Sequence, residues 1–185
     1  HTFTPLWMSF VFVINALNVR QTGRCLMLNR PGSFVRLFPA SAAFWWFLEY
    51  LTRCVQNWYY VGVQYDSIRY ACYATISFST VLPAVLSTRE WLLSFPWIQK
   101  RFQNSLPIGI DRPQWVAIAS LTLAGCGLAG IGIWPDIFFP LLWISPVLII
   151  LALQTLNRDP HLFSNITQGD WRLVVASALA ALFCG

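Results

Sequence analysis

The chain has 185 residues, of which 57% are hydrophobic, 16% aromatic and only 10% charged. A soluble domain carries roughly 25% charged residues, so this chain has too little charge to cover a water-facing surface of its size. The composition therefore predicts an integral membrane protein. The net charge of +5 would favour nucleic acid as a partner if it formed a patch. The basic residues instead lie in short loops between apolar runs, which argues against that class.

Six apolar stretches follow one another along the chain, each close to the length of about 20 residues that a helix needs to cross a bilayer. Their apolar character is continuous, whereas the strands of a membrane barrel alternate in polarity. The sequence therefore predicts an all-α, polytopic transmembrane helix bundle that forms a single domain over residues 1–185. The predicted spans are 3–19, 37–55, 70–88, 113–134, 137–156 and 173–185.

The loops between these spans indicate an orientation. Ten of the twelve basic residues lie in the first, third and fifth loops. Because cytoplasmic loops carry an excess of Lys and Arg, we expect the amino end outside a bacterial inner membrane. The ten residues are Arg20, Arg24, Arg30, Arg36, Arg89, Lys100, Arg101, Arg112, Arg158 and Arg172.

The first span carries two amide side chains. Asn15 and Asn18 are one turn apart and lie toward its cytoplasmic end. An amide in an apolar run is satisfied by a hydrogen bond to a neighbouring helix or to a lipid headgroup. The bridge to another helix is the favoured prediction.

The second span contains an acid and a base among aromatic residues. Glu49 and Arg53 are four residues apart, which places them on one helix face within reach of an ion pair. An acid inside a bilayer needs a partner and is a functional candidate by default. Two interpretations stay open: the pair clamps the helix against a neighbour, or Glu49 donates or accepts a proton. The clamp is favoured, because acid–base chemistry usually needs a second positioned group.

The candidate site of the catalytic interpretation is built around Glu49 as the acid. Its ion-pair partner and the nearby aromatic and amide side chains would bind the ligand, and aromatic faces can stabilise a carbocation. Part of this aromatic density also fits the belt of Trp and Tyr found at membrane interfaces. The predicted binding residues are Arg53, Trp45, Trp46, Tyr50, Asn57 and Trp58.

Polar and small residues in the third and fourth spans predict helix–helix contacts. Thr75, Pro83 and Ser87 belong to a stripe at helical spacing that should face protein rather than lipid. In the fourth span, Gly125 and Ala129 form a small-x-x-x-small pattern that lets another helix approach closely. The partner of this Gly125/Ala129 face is either internal or another membrane subunit, and the pattern does not choose between them.

Histidine and cysteine give no sign of a metal or cofactor site. His1 and His161 are the only histidines, whereas spans that hold haem need histidine at depth. The five cysteines are scattered and lack C-x-x-C spacing, which argues against a metal site. We therefore predict no metal and no cofactor.

Three motifs stand in the first third of the chain: F-P-x-S at 38–41, F-W-W-F-x-E-Y-L at 44–51 and Q-N-W-x-Y at 56–60. Together with H-T-F-T-P-L-W at 1–7, they resemble a family of uncharacterised bacterial polytopic membrane proteins. Where this chain has Thr52, the family more often has Asn. The resemblance implies a second aromatic–Glu–aromatic motif after a Cys-Gly like Cys184-Gly185. We therefore expect the chain to be part of a longer protein.

These observations lead to three functional hypotheses. The first is a non-enzymatic subunit or scaffold of a membrane complex that binds lipid, quinone or pigment on its aromatic helix faces. The alternative is a membrane enzyme that acts on an isoprenoid or lipid, with Glu49 as acid or base. A transporter is the third hypothesis and depends on the polar stripe of the third span. The predicted partners are the bilayer, other membrane subunits and a hydrophobic ligand.

Overall fold

The computed structural model describes residues 2–56, 61 and 65–184, without the side chain of Cys54. In these residues 79% of the chain is helical and no strand occurs, which confirms the all-helical prediction. The helices are α1 (Phe3–Thr22), α2 (Leu26–Asn29), α3 (Pro31–Val55), α4 (Ser67–Ser79), α5 (Val81–Leu93), α6 (Pro96–Arg101), α7 (Pro113–Ile131), α8 (Pro135–Asn157) and α9 (Arg172–Cys184), with a 3-10 turn at Ile166–Gln168.

Three helical segments in the described residues are long and apolar enough to cross a membrane. They are Ser67–Leu93, which joins α4 to α5, and the helices α7 and α8. Of the six predicted spans, the structure therefore supports three. Helices α1 and α3 are long enough but more polar, with Asn15 and Asn18 in α1 and the charged pair Glu49 and Arg53 in α3. Helix α9 has 13 residues, fewer than the about 20 that a span needs.

The helices belong to two compact units. The first takes its described residues from 1–46, 64–107 and 168–185, and the second from 47–63 and 108–167. In the first unit α5 packs against both α1 and α9, and in the second α7 packs against α8. Helix α3 contributes residues up to Trp46 to the first unit and residues from Phe47 onward to the second.

A break at Thr80 separates α4 from α5 inside one membrane-length segment. Pro83 has no N–H to donate to the preceding turn, so the hydrogen-bond ladder is interrupted here. The buried Ser41 of α3 fills the gap, because its hydroxyl donates to Phe78 O and accepts from Leu82 N at 3.0 Å. Phe78 O and Leu82 N are the ladder pair next to the one that Pro83 cannot complete, so a hydroxyl from a neighbouring helix satisfies backbone groups at the break.

Hydrogen bonds between side chains and α5 join α1 to the centre of the first unit. The Asn15 amide donates to Ser87 Oγ at 2.9 Å, and the Asn18 amide donates to Ser87 O at 3.1 Å. All three residues are 0–1% exposed. The predicted bridge from Asn15 and Asn18 to another helix is thus confirmed, and Ser87 of the predicted polar stripe is its partner.

The α7–α8 pair is held by small residues that let the helices approach closely. A Cβ atom at Gly127 would lie 2.7 Å from Leu141 Cβ, and one at Gly130 would lie 2.6 Å from the Phe138 ring. The predicted Gly125/Ala129 face does not make this contact. Gly125 and Ala129 are exposed, and a Cβ at Gly125 would have nothing within 4 Å among the described atoms. The internal contact therefore uses the adjacent face of α7.

A charged cluster connects the start of α9 to α6 in the first unit. Arg172 forms an ion pair with Asp170 at 2.7 Å and also donates to Gln99 Oε1. The hydrogen bond from Arg172 holds the pKa of the Asp170 carboxyl below its usual range. Trp171 adds two bonds at 2.8 Å, from its backbone N–H to Phe102 O and from its ring N–H to Leu106 O. The cluster thereby fixes where α9 begins.

Candidate functional site

Glu49 and Arg53 meet as their spacing predicts. Glu49 Oε1 lies 3.8 Å from Arg53 Nη2, one turn along α3 in the second unit. The Glu49 side chain is 11% exposed and that of Arg53 is 65% exposed. An ion pair with one largely exposed partner contributes about 0–1 kcal/mol to stability. The pair orients the Glu49 carboxylate more than it stabilises the fold.

The other predicted residues near Glu49 have different environments. Tyr50 is 68% exposed on the surface of α3. Thr52 is buried, and its hydroxyl donates to Glu49 O at 2.9 Å. The predicted binding residues Asn57 and Trp58 lie outside the described residues.

Trp45 and Trp46 pack against α4 within the first unit. The Trp45 ring stacks on Phe78 at a centroid distance of 6.1 Å, and the Trp46 ring meets Phe78 edge-on at 5.6 Å. Trp46 also contacts Tyr70 at 6.3 Å and donates its ring N–H to Thr75 Oγ1 at 2.9 Å. Aromatic pairs at such distances contribute about 0.5–1.5 kcal/mol each beyond the area they bury. These are the contacts of a helix interface.

One atom of this aromatic cluster is left without a partner. The ring N–H of Trp45 is buried and has no hydrogen-bond acceptor among the described residues. A buried donor without an acceptor costs about 1–3 kcal/mol, so this N–H is a place where an acceptor from outside the described chain would bind favourably. Among the described residues of the predicted aromatic site, this N–H is the feature that points to a ligand.

A second candidate region lies in the first unit and was not predicted as a site. It is a cavity of about 490 Å³ between α2 and the last turns of α5, which we name the basic cavity. The residues that line it include three arginines, one glutamate and one asparagine, beside apolar side chains. Its lining residues are Arg24, Cys25, Leu26, Asn29, Arg30, Leu86, Arg89, Glu90 and Leu93.

Hydrogen bonds from other elements fix the wall of the basic cavity that α2 provides. Glu90 Oε2 accepts from Leu26 N at 2.8 Å, and Asn15 Oδ1 accepts from Met27 N at 3.3 Å. Asn29 Oδ1 accepts from Cys25 N at 2.8 Å. The first N–H groups of a helix have no partner within the helix, and here side chains satisfy them. The short helix is therefore anchored to both α1 and α5.

The sequence contains a signal for this cavity in addition to its topology signal. The positive-inside rule explains Arg24, Arg30 and Arg89 only as charges of cytoplasmic loops. Glu90 follows Arg89 directly near the end of a predicted apolar run, and an acid in such a place needs a partner as much as Glu49 does. That partner is a backbone N–H of α2, which no side-chain spacing indicates.

Metal chemistry receives no support from the described residues. No group of three or more His, Cys, Asp and Glu side chains lies close enough together there to bind a metal ion.

Comparison with known proteins does not assign this chain to a family: no family model, curated protein or solved structure matches it.

Proposed function

We propose that this chain is a non-enzymatic subunit or scaffold of a membrane complex. Its setting would be a bacterial inner membrane, with the amino end outside. The predicted membership of an uncharacterised polytopic family stays a prediction. Other membrane subunits are the partners, and a lipid, quinone or pigment is the class of ligand that its aromatic faces would bind.

The observation that carries this proposal is the contrast between two faces of α7. The face with Gly127 and Gly130 is filled by α8, whereas Gly125 and Ala129 are exposed. Cys126 is exposed beside them. Small residues drive helix association in membranes by allowing close backbone contact. A second surface of this kind, left open in the described part of the chain, supports docking of a helix from another subunit.

The predicted catalytic segment gives further support. Trp45 and Trp46 make contacts typical of a helix interface, and Glu49 forms an ion pair with Arg53. The tryptophan contacts join α3 to α4 and fit a protein whose role is to hold helices together. The ion pair lies within α3 and does not itself reach a neighbouring helix.

Native mass spectrometry of the full chain, extracted from its membrane in mild detergent, tests the proposal. We expect a mass above that of the monomer, and we expect Gly125→Leu to dissociate the complex by filling the open face. Ala178→Leu adds the same side chain at an exposed position on α9 and should leave the complex intact. A monomer without retained partner or lipid would overturn the proposal.

Two observations favour the enzyme alternative. The Glu49 carboxylate is largely shielded, and the Trp45 ring N–H lacks an acceptor among the described residues. If Glu49 is a catalytic acid, Glu49→Gln should change the lipid or pigment profile of the membrane while the protein stays folded. An unchanged profile would exclude this alternative.

The transporter hypothesis stays a prediction and depends on the polar stripe of the third span. Thr75 of that stripe accepts a hydrogen bond from Trp46, and Ser87 accepts from Asn15 and Asn18 through its hydroxyl and its backbone carbonyl. These groups join helices, which favours the scaffold over transport.

A further inference from the structure

We propose that the basic cavity binds a phosphate group. This site is separate from the open face of α7 and from the aromatic segment, and it does not depend on the scaffold role.

The basic cavity has more positive charge than its own residues neutralise. Arg24, Arg30 and Arg89 line it, and within the described chain none of the three forms an ion pair with a carboxylate. Glu90 is the one acid in the lining, and it accepts a hydrogen bond from Leu26 N. Two positive charges remain without compensation in the cavity. Half-buried Arg89 interacts electrostatically with Glu90, so the uncompensated charges are those of Arg24 and Arg30, which are exposed.

Arginine is the residue best suited to hold a phosphate. Its planar fork of N–H donors matches phosphate oxygens in pairs, and such charge-assisted bonds are about twice as strong as neutral ones. Because Arg24, Arg30 and Arg89 all line the cavity, a phosphate ester bound there would have more than one such fork beside it. The side-chain amide of Asn29 lies in the same lining. Its carbonyl oxygen accepts from Cys25 N, which leaves the amide N–H groups as further donors.

The size and the apolar part of the cavity favour a phosphate ester over a bare ion. The volume of about 490 Å³ falls within the roughly 300–1,000 Å³ of small-molecule sites. Leu26, Leu86 and Leu93 line the remainder. An amphiphilic ligand, with a phosphate at the arginines and an apolar portion along the leucines, matches this division.

The position of the cavity provides a source for such a ligand. Arg89 and Glu90 lie in the last two turns of the membrane-length segment Ser67–Leu93, and the ends of spans lie at the level of the lipid headgroups. Basic pockets between helices at that level bind anionic headgroups. A soluble phosphate ester has the same recognising group, so the experiment must separate the two sources.

The cavity is also held in shape before any ligand arrives. Bonds from Glu90 and Asn15 fix α2, which bears one wall and separates Arg24 from Arg30. A wall that is already ordered reduces the entropy lost on binding.

The test uses the full chain, purified in detergent and freed of lipid by repeated exchange. One arm adds phosphatidylglycerol, or phosphatidylcholine as the zwitterionic comparison, and measures retained lipid by native mass spectrometry. The other arm adds inorganic phosphate or glycerol phosphate and measures binding by calorimetry. We expect Arg24→Gln and Arg30→Gln each to weaken binding roughly tenfold, the value of one lost charge-assisted bond. Arg89→Gln gives a third measurement if it folds.

Arg20→Gln is the matched control. Arg20 is exposed and belongs to the same predicted loop, but it does not line the cavity. Its loss should change binding by less than about twofold, because an exposed charge outside the cavity lining is screened by salt.

Each possible result supports or contradicts the phosphate site. Selective retention of phosphatidylglycerol, insensitive to excess phosphate, supports a lipid as the source of the phosphate. Binding of glycerol phosphate by the delipidated protein supports a soluble ester. If the wild type binds neither, or if Arg20→Gln weakens binding as much as Arg30→Gln does, the proposal is wrong.

Discussion

The two compact units hold their helices together by different means. In the first unit side-chain hydrogen bonds join the helices, as in the bonds from Asn15 to Ser87, from Ser41 to Leu82 and from Trp46 to Thr75. In the second unit α7 and α8 pack through Gly127 and Gly130 with almost no space between them.

This difference follows from the solvent that the helices occupy. Lipid tails are as apolar as leucine, so no hydrophobic force brings membrane helices together, and packing and hydrogen bonds must do so instead. The first unit contains the more polar helix α1 and the part of α3 up to Trp46, which supply hydrogen-bonding side chains. The helices α7 and α8 are the most apolar of the described helices. They are joined mainly by close contact, with one long hydrogen bond from Ser145 Oγ to Ala124 O at 3.4 Å.

The largest effect should come from filling the contact between α7 and α8. Gly127→Ala places a Cβ 2.7 Å from Leu141 Cβ, an atom fixed to the backbone that cannot rotate away. We expect a loss of about 1–3 kcal/mol in the free energy of unfolding, the usual cost of overpacking. Reversible unfolding in mixed micelles would measure it. Gly125→Ala, on the open face of the same helix, should be neutral or stabilising by up to about 1 kcal/mol. Equal losses in both variants would contradict the close-packing account.

The next effect should come from removing the amide that connects three elements of the first unit. Asn15 donates to Val11 O and Ser87 Oγ and accepts from Met27 N. Asn15→Leu should lower the free energy of unfolding by about 1–2 kcal/mol, because buried groups lose their partners. A double-mutant cycle with Ser87→Ala should give a coupling of about 0.6 kcal/mol and at most about 1.7. A coupling near zero would show that the bond does not hold α1 to α5.

A smaller effect should come from the ring N–H of Trp46. Trp46→Phe preserves an aromatic ring against Phe78 and Tyr70 but loses the bond to Thr75. We expect a loss of about 0.5–1 kcal/mol in the free energy of unfolding. Trp115→Phe, at a position that is 60% exposed, is the matched control and should have no effect within error. A larger loss for Trp115→Phe would mean that the exposed tryptophans, and not this interface, stabilise the protein.

The smallest effect is a dependence on acid. The hydrogen bond from Arg172 lowers the pKa of Asp170 in the folded state. A carboxyl whose folded pKa is depressed stabilises the fold above its unfolded pKa of about 3.9 and loses that stabilisation as the pH falls through the folded value. The free energy of unfolding should thus be independent of this group near pH 7 and decline below about pH 4.

Two variants isolate the Asp170 contribution. Asp170→Asn should abolish the acid-dependent part of the unfolding free energy that comes from this group. Arg172→Gln should reduce it but leave a remainder, because the backbone N–H of residue 172 still donates to Asp170 Oδ1 at 3.1 Å. If only one of them lowers the acid-dependent part, the pair is not the source of the pH dependence.

The sequence predicted the helical fold and several local contacts because these depend on spacing along one helix or on composition. The ion pair of Glu49 with Arg53 needed only the geometry of one turn, and the bridge from Asn15 followed from an amide in an apolar run. The basic cavity could not be predicted in this way. Glu90 binds the backbone of α2, and the positions of Arg24 and Arg30 follow from how that short helix is anchored. The sequence predicts six spans and the structure supports three. The length of an apolar run does not by itself distinguish a more polar helix such as α1 from a helix that spans the membrane.

The central claim is that the open Gly125/Ala129 face of α7 docks another membrane protein. Photo-crosslinking in intact membranes tests it most directly, with a photoreactive side chain replacing Ala129 or, as the control, the exposed Ile150 of α8. We predict a discrete protein–protein adduct from position 129 and only lipid adducts from position 150. Lipid adducts alone from both positions would contradict the account.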